Sequence, residues 1–143
     1  MRFNRLIITV LLFTSFYADA KDKSFGSATV LEVTSIYDGD TFRANIEGFP
    51  AVIGEHMSIR INGIDTPELR GKCEKEKQLA RLAKQFTVER LRAAKSVVLK
   101  NIKRGKYFRL IADVYLDGVS LGEQLIKQGH AAKYIGKAKE AWC

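Results

Sequence analysis

The sequence contains few residues of the kinds that bind transition metals or form thiol-based redox centres. Its 143 residues include only two cysteines and two histidines. Cys73 and Cys143 do not form a C-x-x-C pair, and His56 and His130 are the only imidazole ligands, so no ligand set for a tetrahedral zinc site is evident. We expect both histidines to be surface or loop-packing residues without a catalytic role.

The chain also lacks internal repeats, linkers and low-complexity runs, and it has one long apolar run, LIITVLLFTSF at residues 6–16. That run is about half of the ~20 residues that a membrane-spanning helix needs. Two arginines precede it and the cleavage motif ADA follows it. Residues 1–20 are therefore predicted to be a signal peptide cleaved near Ala20-Lys21, with a retained anchor as the alternative. Residues 21–143 are predicted to be a single domain, exported to a periplasm or to the medium.

The charge balance is basic, at +8 for the whole chain. Removing the leader, which holds two arginines and one aspartate, leaves a net charge of +7. A basic, exported domain favours a polyanion or an anionic surface as its partner. The alternative is a solvated cationic surface that aids solubility, because the lysines and arginines are spread along the chain.

The even pair of cysteines predicts a disulfide, since the domain is expected to lie outside the reducing cytosol. A Cys73–Cys143 bridge closes a loop of about 70 residues. The loss of chain entropy in the unfolded state then stabilises the fold by at most about 4 kcal/mol. The bridge is expected to hold the last residues against the segment that follows Glu68.

Three strands come first in the chain. Ala28 to Ser35 and Thr41 to Ile46 alternate between apolar and polar residues around the turn Tyr37-Asp38-Gly39-Asp40, which predicts a hairpin. Met57 to Ile64 is predicted as a third strand that completes a meander.

A change of period then predicts a helix from Glu74 to Ala94, with Leu79, Leu82, Ala83, Phe86 and Leu91 at helical spacing. Two more strands follow, Ser96 to Ile102 and Phe108 to Leu116, and a Ser120/Glu123 capping box opens a second helix. This order predicts an α+β fold that is mainly β, a five-stranded OB-type β-barrel with two to three helices.

Acidic residues gather at two predicted loops. The turn YDGD supplies Asp38 and Asp40, and the segment IDTPE supplies Asp65 and Glu68. If both loops lie at the same barrel end, these carboxylates repel one another unless a cation joins them, and Ca²⁺ accepts ~6 to 8 oxygen ligands in irregular geometry. The alternative is structural, because Asp-Gly is an ordinary hairpin turn and an aspartate often caps a loop.

Two arginines favour the chemical interpretation. Arg60 lies on the strand that leads into the acidic loop, and Arg109 lies on a later predicted strand. Guanidinium groups bind phosphate oxygens in a fork and stabilise the added negative charge of a pentacovalent phosphorus transition state. Each arginine alone is as easily an ion-pair residue. Together with the acids on a basic barrel, they indicate metal-assisted phosphodiester hydrolysis.

Three stretches, YDGDTF, IRINGIDTPEL and GKYFRLIADVYLDG, resemble the signature segments of the staphylococcal-type nuclease (thermonuclease) family, many of whose members are secreted by bacteria. The resemblance runs from about Val30 to Ala132. It implies that Asp40, Asp65 and the Thr66 carbonyl are calcium ligands, with Asp38 as a further acid near the ion.

The same resemblance implies roles for the remaining site residues. Arg60 and Arg109 correspond to the phosphate clamp, and Glu68 to the acid that orients or deprotonates the attacking water. Lys106 and Tyr107 correspond to substrate-binding positions, although Tyr107 is also suited to the core or to an interface. Phe108 departs from the family pattern, which has glycine between the tyrosine and the arginine.

The implied activity is calcium-dependent hydrolysis of DNA and RNA at the P–O5′ bond, which leaves 3′-phosphate ends. A monomer that prefers single strands and has no membrane partner is expected. The main alternative is a non-catalytic OB-fold module that binds single-stranded nucleic acid. A cationic protein that interacts with a membrane or cell wall is a third, but the helix from Glu74 to Ala94 is too mixed in charge to favour it.

Overall fold

The computed structural model describes residues 23–143, so the predicted signal peptide lies outside the described residues. The strands are β1 (Ala28–Ile36), β2 (Thr41–Ile46), β3 (Met57–Ile61), β4 (Ile64–Asp65), β5 (Val97–Arg104), β6 (Leu110–Leu116), β7 (Val119–Ser120) and β8 (Ala132–Lys133). The helices are α1 (Ala51–Gly54), α2 (Glu74–Ala93) and α3 (Leu121–Lys127). Within residues 23–143, no helix has both the length and the apolar character needed to cross a bilayer.

Five strands close into a mixed barrel. The sheet runs in the order β3-β2-β1-β5-β6-β7 with antiparallel neighbours, and a parallel pairing of β3 with β6 closes the barrel and leaves β7 outside it. β4 and β8 form a separate antiparallel pair. The barrel and the three helices confirm the predicted α+β, OB-type fold.

Alternation along the strands decides which side chains face the core. Phe42 of β2, Ile59 of β3, and Ala112 and Val114 of β6 point into the barrel and are fully or almost fully buried. Their neighbours point outward because successive side chains of a strand lie on opposite faces. Arg60 therefore lies on the outer face of β3, next to β2 and β6.

Two predicted strands are longer than those observed. The third strand ends at Ile61 instead of Ile64, because Gly63 turns the chain with a φ of +75° and β4 then pairs with β8. β6 begins at Leu110, two residues later than predicted. Phe108 lies outside it with a φ of +52°, a left-handed conformation far from the extended φ of a regular strand.

Helix α2 was correctly predicted, and its buried face was predicted in part: Ala83 and Leu91 are buried as expected. Its fully buried side chains include Ala80, Ala83 and Thr87, whereas Leu82 is 52% exposed. The small residues allow α2 to lie close to the β1–β2 turn, where a Cβ added to Gly39 would be 2.8 Å from the Cβ of Ala83. The face that α2 buries is therefore the one whose small side chains let the backbone of the β1–β2 turn come close, and not the one with the largest apolar side chains.

The predicted disulfide is present. It joins Cys73, the N-cap residue of α2, to Cys143, with 6.1 Å between their Cα atoms. The Ser120 hydroxyl accepts a hydrogen bond from Glu123 N at 3.2 Å, as its capping box predicts.

The hydrogen bond from Thr87 Oγ1 to the Gly39 carbonyl, 2.7 Å long and buried, provides a test of the contact between α2 and the turn. Thr87→Val removes the donor and leaves the carbonyl unsatisfied, so we expect the free energy of unfolding to fall by about 1 to 3 kcal/mol. Thr87→Ser keeps the hydroxyl and should cost less. Urea unfolding measures both, and a Val variant as stable as the wild type would show that the bond contributes nothing.

Candidate active site

The β1–β2 turn directs two carboxylates inward. Asp38 Oδ1 accepts a hydrogen bond from Asp40 N at 3.1 Å, and Thr41 O accepts from Tyr37 N at 2.9 Å. Thr41 Oγ1 donates to Asp40 Oδ1 at 2.9 Å. As a result Asp38 is 7% and Asp40 only 2% exposed.

Backbone N–H groups in and around β3 and β4 donate hydrogen bonds to this turn. Ile61 N donates to Asp40 O at 2.9 Å, and Thr66 N donates to Asp40 Oδ2 at 3.2 Å. Asp65 and Thr66 are themselves buried. The structure thus brings together the two acidic loops that the sequence placed 25 residues apart, from Asp40 to Asp65.

Arg60 lies between the two buried aspartates. Its Nη1 is 2.6 Å from Asp40 Oδ1, and its Nη2 is 3.3 Å from both Asp65 Oδ1 and the carbonyl of Ile64. The side chain is only 16% exposed. The residue that resemblance implies as a phosphate ligand is therefore already paired with the implied calcium ligands.

Negative charge remains in excess on the turn. Burial, followed by the charge of Asp40, raises the pKa of Asp38 from 3.8 to about 6. Burial also raises the pKa of Asp40, and the neighbouring Arg60 opposes this rise. Both shifts have the direction expected for buried carboxylates, because burial disfavours the charged form.

Glu68 lies at the edge of the site on a loop that Glu76 organises. The buried Glu76 carboxylate accepts from Glu68 N at 3.2 Å and from Lys72 N at 2.9 Å. The Glu68 side chain is 48% exposed and faces Lys139, whose Nζ lies 2.7 Å from Glu68 Oε1 and 3.5 Å from Asp65 Oδ1. The hydrogen bond to Glu68 is the main reason that the pKa of Lys139 is raised.

A cleft of about 540 Å³ lies on the outer face of the barrel, and Asp38, Arg60, Glu68 and Lys139 are in its wall. It is lined by Tyr37, Asp38, Thr41, Arg43, Ser58, Arg60, Glu68, Lys106, Arg109, Ile111, Tyr134 and Lys139. Gly105 N donates to Arg109 O at 2.7 Å, which closes the β5–β6 turn and positions Arg109. The Arg109 Nε is buried and has no hydrogen-bond partner among the described residues. An unpaired guanidinium donor at a cleft is suited to an anionic ligand.

Tyr107 does not line that cleft. It is 90% exposed, which rules out a core position, and it borders a neighbouring depression with Phe108 and Arg43. Both aromatic residues have left-handed backbones, with φ of +58° and +52°. Lys106 does line the cleft.

The chemistry of the oxygen donors at this site suits a hard divalent cation, although the donors are not drawn together around one point. Asp38, Asp40, Asp65 and Glu68 offer carboxylate oxygens, which are the ligands that calcium prefers. Burial and, after it, the charge of Asp40 disfavour the ionised form of Asp38, and a cation beside these groups would favour it. Within residues 23–143, however, no three His, Cys, Asp or Glu side chains are grouped closely enough to hold an ion.

A second groove of about 540 Å³ lies between β1 and α2. Its lining is apolar and basic, with residues such as Leu31, Lys84 and Arg92, and Glu32 is its single acid. We place the candidate active site in the other cleft, because only that one combines several carboxylates with arginines.

Sequence reasoning missed three contributors to this site. Lys139 lies 71 residues from Glu68 and carries no local signal. Tyr134 was not assigned a role, although it lines the cleft. Glu76 lies in the predicted helix, but no local pattern indicates that its carboxylate accepts from the amide of Glu68.

Comparison with known proteins agrees with this geometry. Residues 58–141 match the sequence model of the family described as staphylococcal nuclease homologue. The chain therefore belongs to the staphylococcal nuclease family. It is similar to the rice protein (Oryza sativa subsp. japonica) named probable staphylococcal-like nuclease CAN2, at 31% identity over 80 residues. That match covers 56% of this chain and 20% of the rice protein's length.

The raised pKa of Asp38 predicts a pH dependence of stability. The native state keeps the Asp38 proton up to about pH 6, whereas the unfolded chain releases it near 3.8. The native state therefore binds more protons in this window, and the free energy of unfolding falls as the pH rises through it. Asp38→Asn, which keeps the acceptor for Asp40 N, should be more stable than the wild type at pH 7 by about 1 to 3 kcal/mol.

Urea unfolding in EDTA at a pH near 4 and near 7 checks this expectation. The stability advantage of Asp38→Asn should shrink at the lower pH, where the wild-type carboxyl is protonated. An equal difference at both pH values would contradict it.

Proposed function

We propose that the protein is a calcium-dependent nuclease that hydrolyses phosphodiester bonds of DNA and RNA. One observation carries the proposal: Glu68, Arg60 and Arg109 line a single cleft, and Arg60 is paired with the buried carboxylates of Asp40 and Asp65. The Nε of Arg109 is a buried donor that has no partner among the described residues. Membership of the staphylococcal nuclease family and similarity to a protein named as a nuclease support it.

Asp40 and Asp65, with the Thr66 carbonyl, would hold the calcium ion, and Asp38 would add negative charge beside it. The ion would supply positive charge to neutralise phosphate oxygens as the reaction proceeds. Asp38 and Asp40, whose pKa values are raised chiefly by burial, would be held in their ionised form beside that charge. Arg60, paired with both aspartates, would keep their side chains oriented until the substrate arrives.

The protein's own groups would carry the remaining chemistry. Glu68 would orient the attacking water and accept its proton, a contribution of typically ~10² to 10⁴ in rate. The Arg109 guanidinium, whose Nε has no partner among the described residues, would donate to the phosphate oxygens that gain charge in the transition state. Arg60 would assist from the other side of the cleft. The P–O5′ bond would break, leaving a 3′-phosphate and a free 5′-hydroxyl.

The substrate would enter along the basic side of the cleft. Lys106 lies in the cleft wall and Tyr107 projects into solvent just outside it. Exposed aromatic and basic side chains bind single strands by stacking and charge, so we propose that unpaired DNA and RNA are preferred. We also propose that the protein acts as a monomer without a membrane partner, exported after cleavage of residues 1–20.

The second candidate is a non-catalytic module that binds single-stranded nucleic acid. The pairing of Arg60 and Lys139 with the acids favours it, because the carboxylates already have cationic partners without a metal. In that case the acidic cluster would serve only to hold the loops together.

The first test is cleavage of single-stranded DNA and of RNA by the purified protein in calcium and in EDTA. Cleavage only with calcium, yielding ends that polymerase extends only after phosphatase treatment, would support the nuclease proposal. Binding without cleavage would instead support the binding module.

Two substitutions assign the roles. Glu68→Gln should lower kcat by roughly 10² to 10⁴. Arg109→Ala should lower kcat by a factor of roughly 10² or more, since it removes transition-state contacts. Arg81→Ala is the matched control, because Arg81 is 62% exposed and pairs with Glu74 on α2. Variants of Glu68 and Arg109 that retain full activity would refute these roles.

A further inference from the structure

The C-terminal arm, defined as residues 134–143, crosses the mouth of the cleft and is attached at both ends. At its start, Tyr134 N donates to the Gly63 carbonyl at 2.9 Å. At its end, Cys143 is bonded to Cys73, the N-cap of α2. The arm contains no helix or strand between these attachments. The path of the C-terminal arm is therefore set by the attachments at its two ends and by the contacts that its middle residues make.

Lys139 lies in the middle of this arm and makes its contact with the acids. Its Nζ is 2.7 Å from Glu68 Oε1 and 3.5 Å from Asp65 Oδ1. Lys137, on the same arm, forms no ion pair within residues 23–143. One ammonium group thus bridges the implied general base and an implied calcium ligand.

The two cations at the acidic site differ in how easily they can leave it. Arg60 is 16% exposed and belongs to β3, which is paired on both sides. Lys139 is 51% exposed and belongs to an arm without regular structure. Exposed ion pairs are weak, so the Lys139 contact is the one that exchanges readily.

A divalent ion at Asp65 and the ammonium of Lys139 cannot share the site without strong repulsion. Like charges a few ångströms apart repel one another, and the repulsion energy doubles when one of the charges is divalent. We propose that Lys139 is a built-in cation that occupies the acidic site until a divalent ion displaces it, so that the arm sets the calcium affinity. This inference rests on the proposed function for the identity of the ion.

The disulfide contributes to the competition between Lys139 and the divalent ion. Because Cys143 is bonded to Cys73, Lys139 is kept at a high effective concentration beside Glu68. Opening the bridge leaves the arm attached only at its start, and the ammonium then competes less well. The effect of Lys139 should therefore depend on the disulfide.

Calorimetric titration of the purified protein with calcium, without substrate, tests the proposal. Lys139→Met, which keeps most of the apolar stem, should lower the calcium Kd by roughly tenfold. Lys139→Arg should leave it close to the wild-type value. Lys137→Met is the matched control for the general loss of one positive charge, and it should change the Kd by much less.

A double-mutant cycle tests the part played by the disulfide. The pair Cys73→Ser and Cys143→Ser should itself tighten calcium binding, and Lys139→Met should add about twofold or less in that background. Equal effects of Lys139→Met with and without the bridge would show that the tether has no part in the competition.

A calcium Kd that is unchanged or weakened by Lys139→Met would overturn the proposal, as would equal shifts for Lys137→Met and Lys139→Met. These outcomes are independent of catalysis. If the protein binds calcium with the expected shifts but cleaves nothing, the proposed function fails and the competition stands. If it cleaves but shows no shift, only the competition fails.

Discussion

Two aspartate carboxylates, Asp40 and Asp65, are each 2% exposed at one end of the barrel, and the organisation of the site depends on how their charge is balanced. A buried carboxylate without a partner costs several kcal/mol, so the fold must bring cations and N–H donors to it. Arg60 bridges both carboxylates, and the Thr66 amide donates to one of them. These contacts hold the β1–β2 turn against β4, and the cleft is the surface that results.

Helix α2 supports the same site from behind. Thr87 donates to the carbonyl of Gly39 in the β1–β2 turn, and Glu76 accepts from the amide of Glu68. Cys73, at the first turn of the helix, holds the end of the C-terminal arm. One helix therefore positions three separate segments that line or cover the cleft. This arrangement explains why its buried face uses small residues, since the turn must approach the helix backbone closely.

The sequence predicted the elements that local patterns encode, and its errors have local causes. Alternation identified β1, β2 and the inner face of β6, and the capping box located α3. The predicted third strand was too long because Ile64 continues the apolar alternation after the turn at Gly63, and strand pairing with β8 is visible only in the fold. Similarly, Phe108 looks like a strand residue, but the tight β5–β6 turn requires a positive φ there.

The sequence alone determined the barrel class and the acidic composition of the two loops, because strand alternation and turn composition act over a few residues. Tertiary structure decided which cations meet those donors. Lys139 reaches Glu68 across 71 positions of the chain, and no periodicity links the two. Their contact depends on the path of the arm between Gly63 and Cys73. Ion pairs of this kind can be identified only from the tertiary structure. Coulomb attraction depends on the distance between two charges in space and not on their separation along the chain.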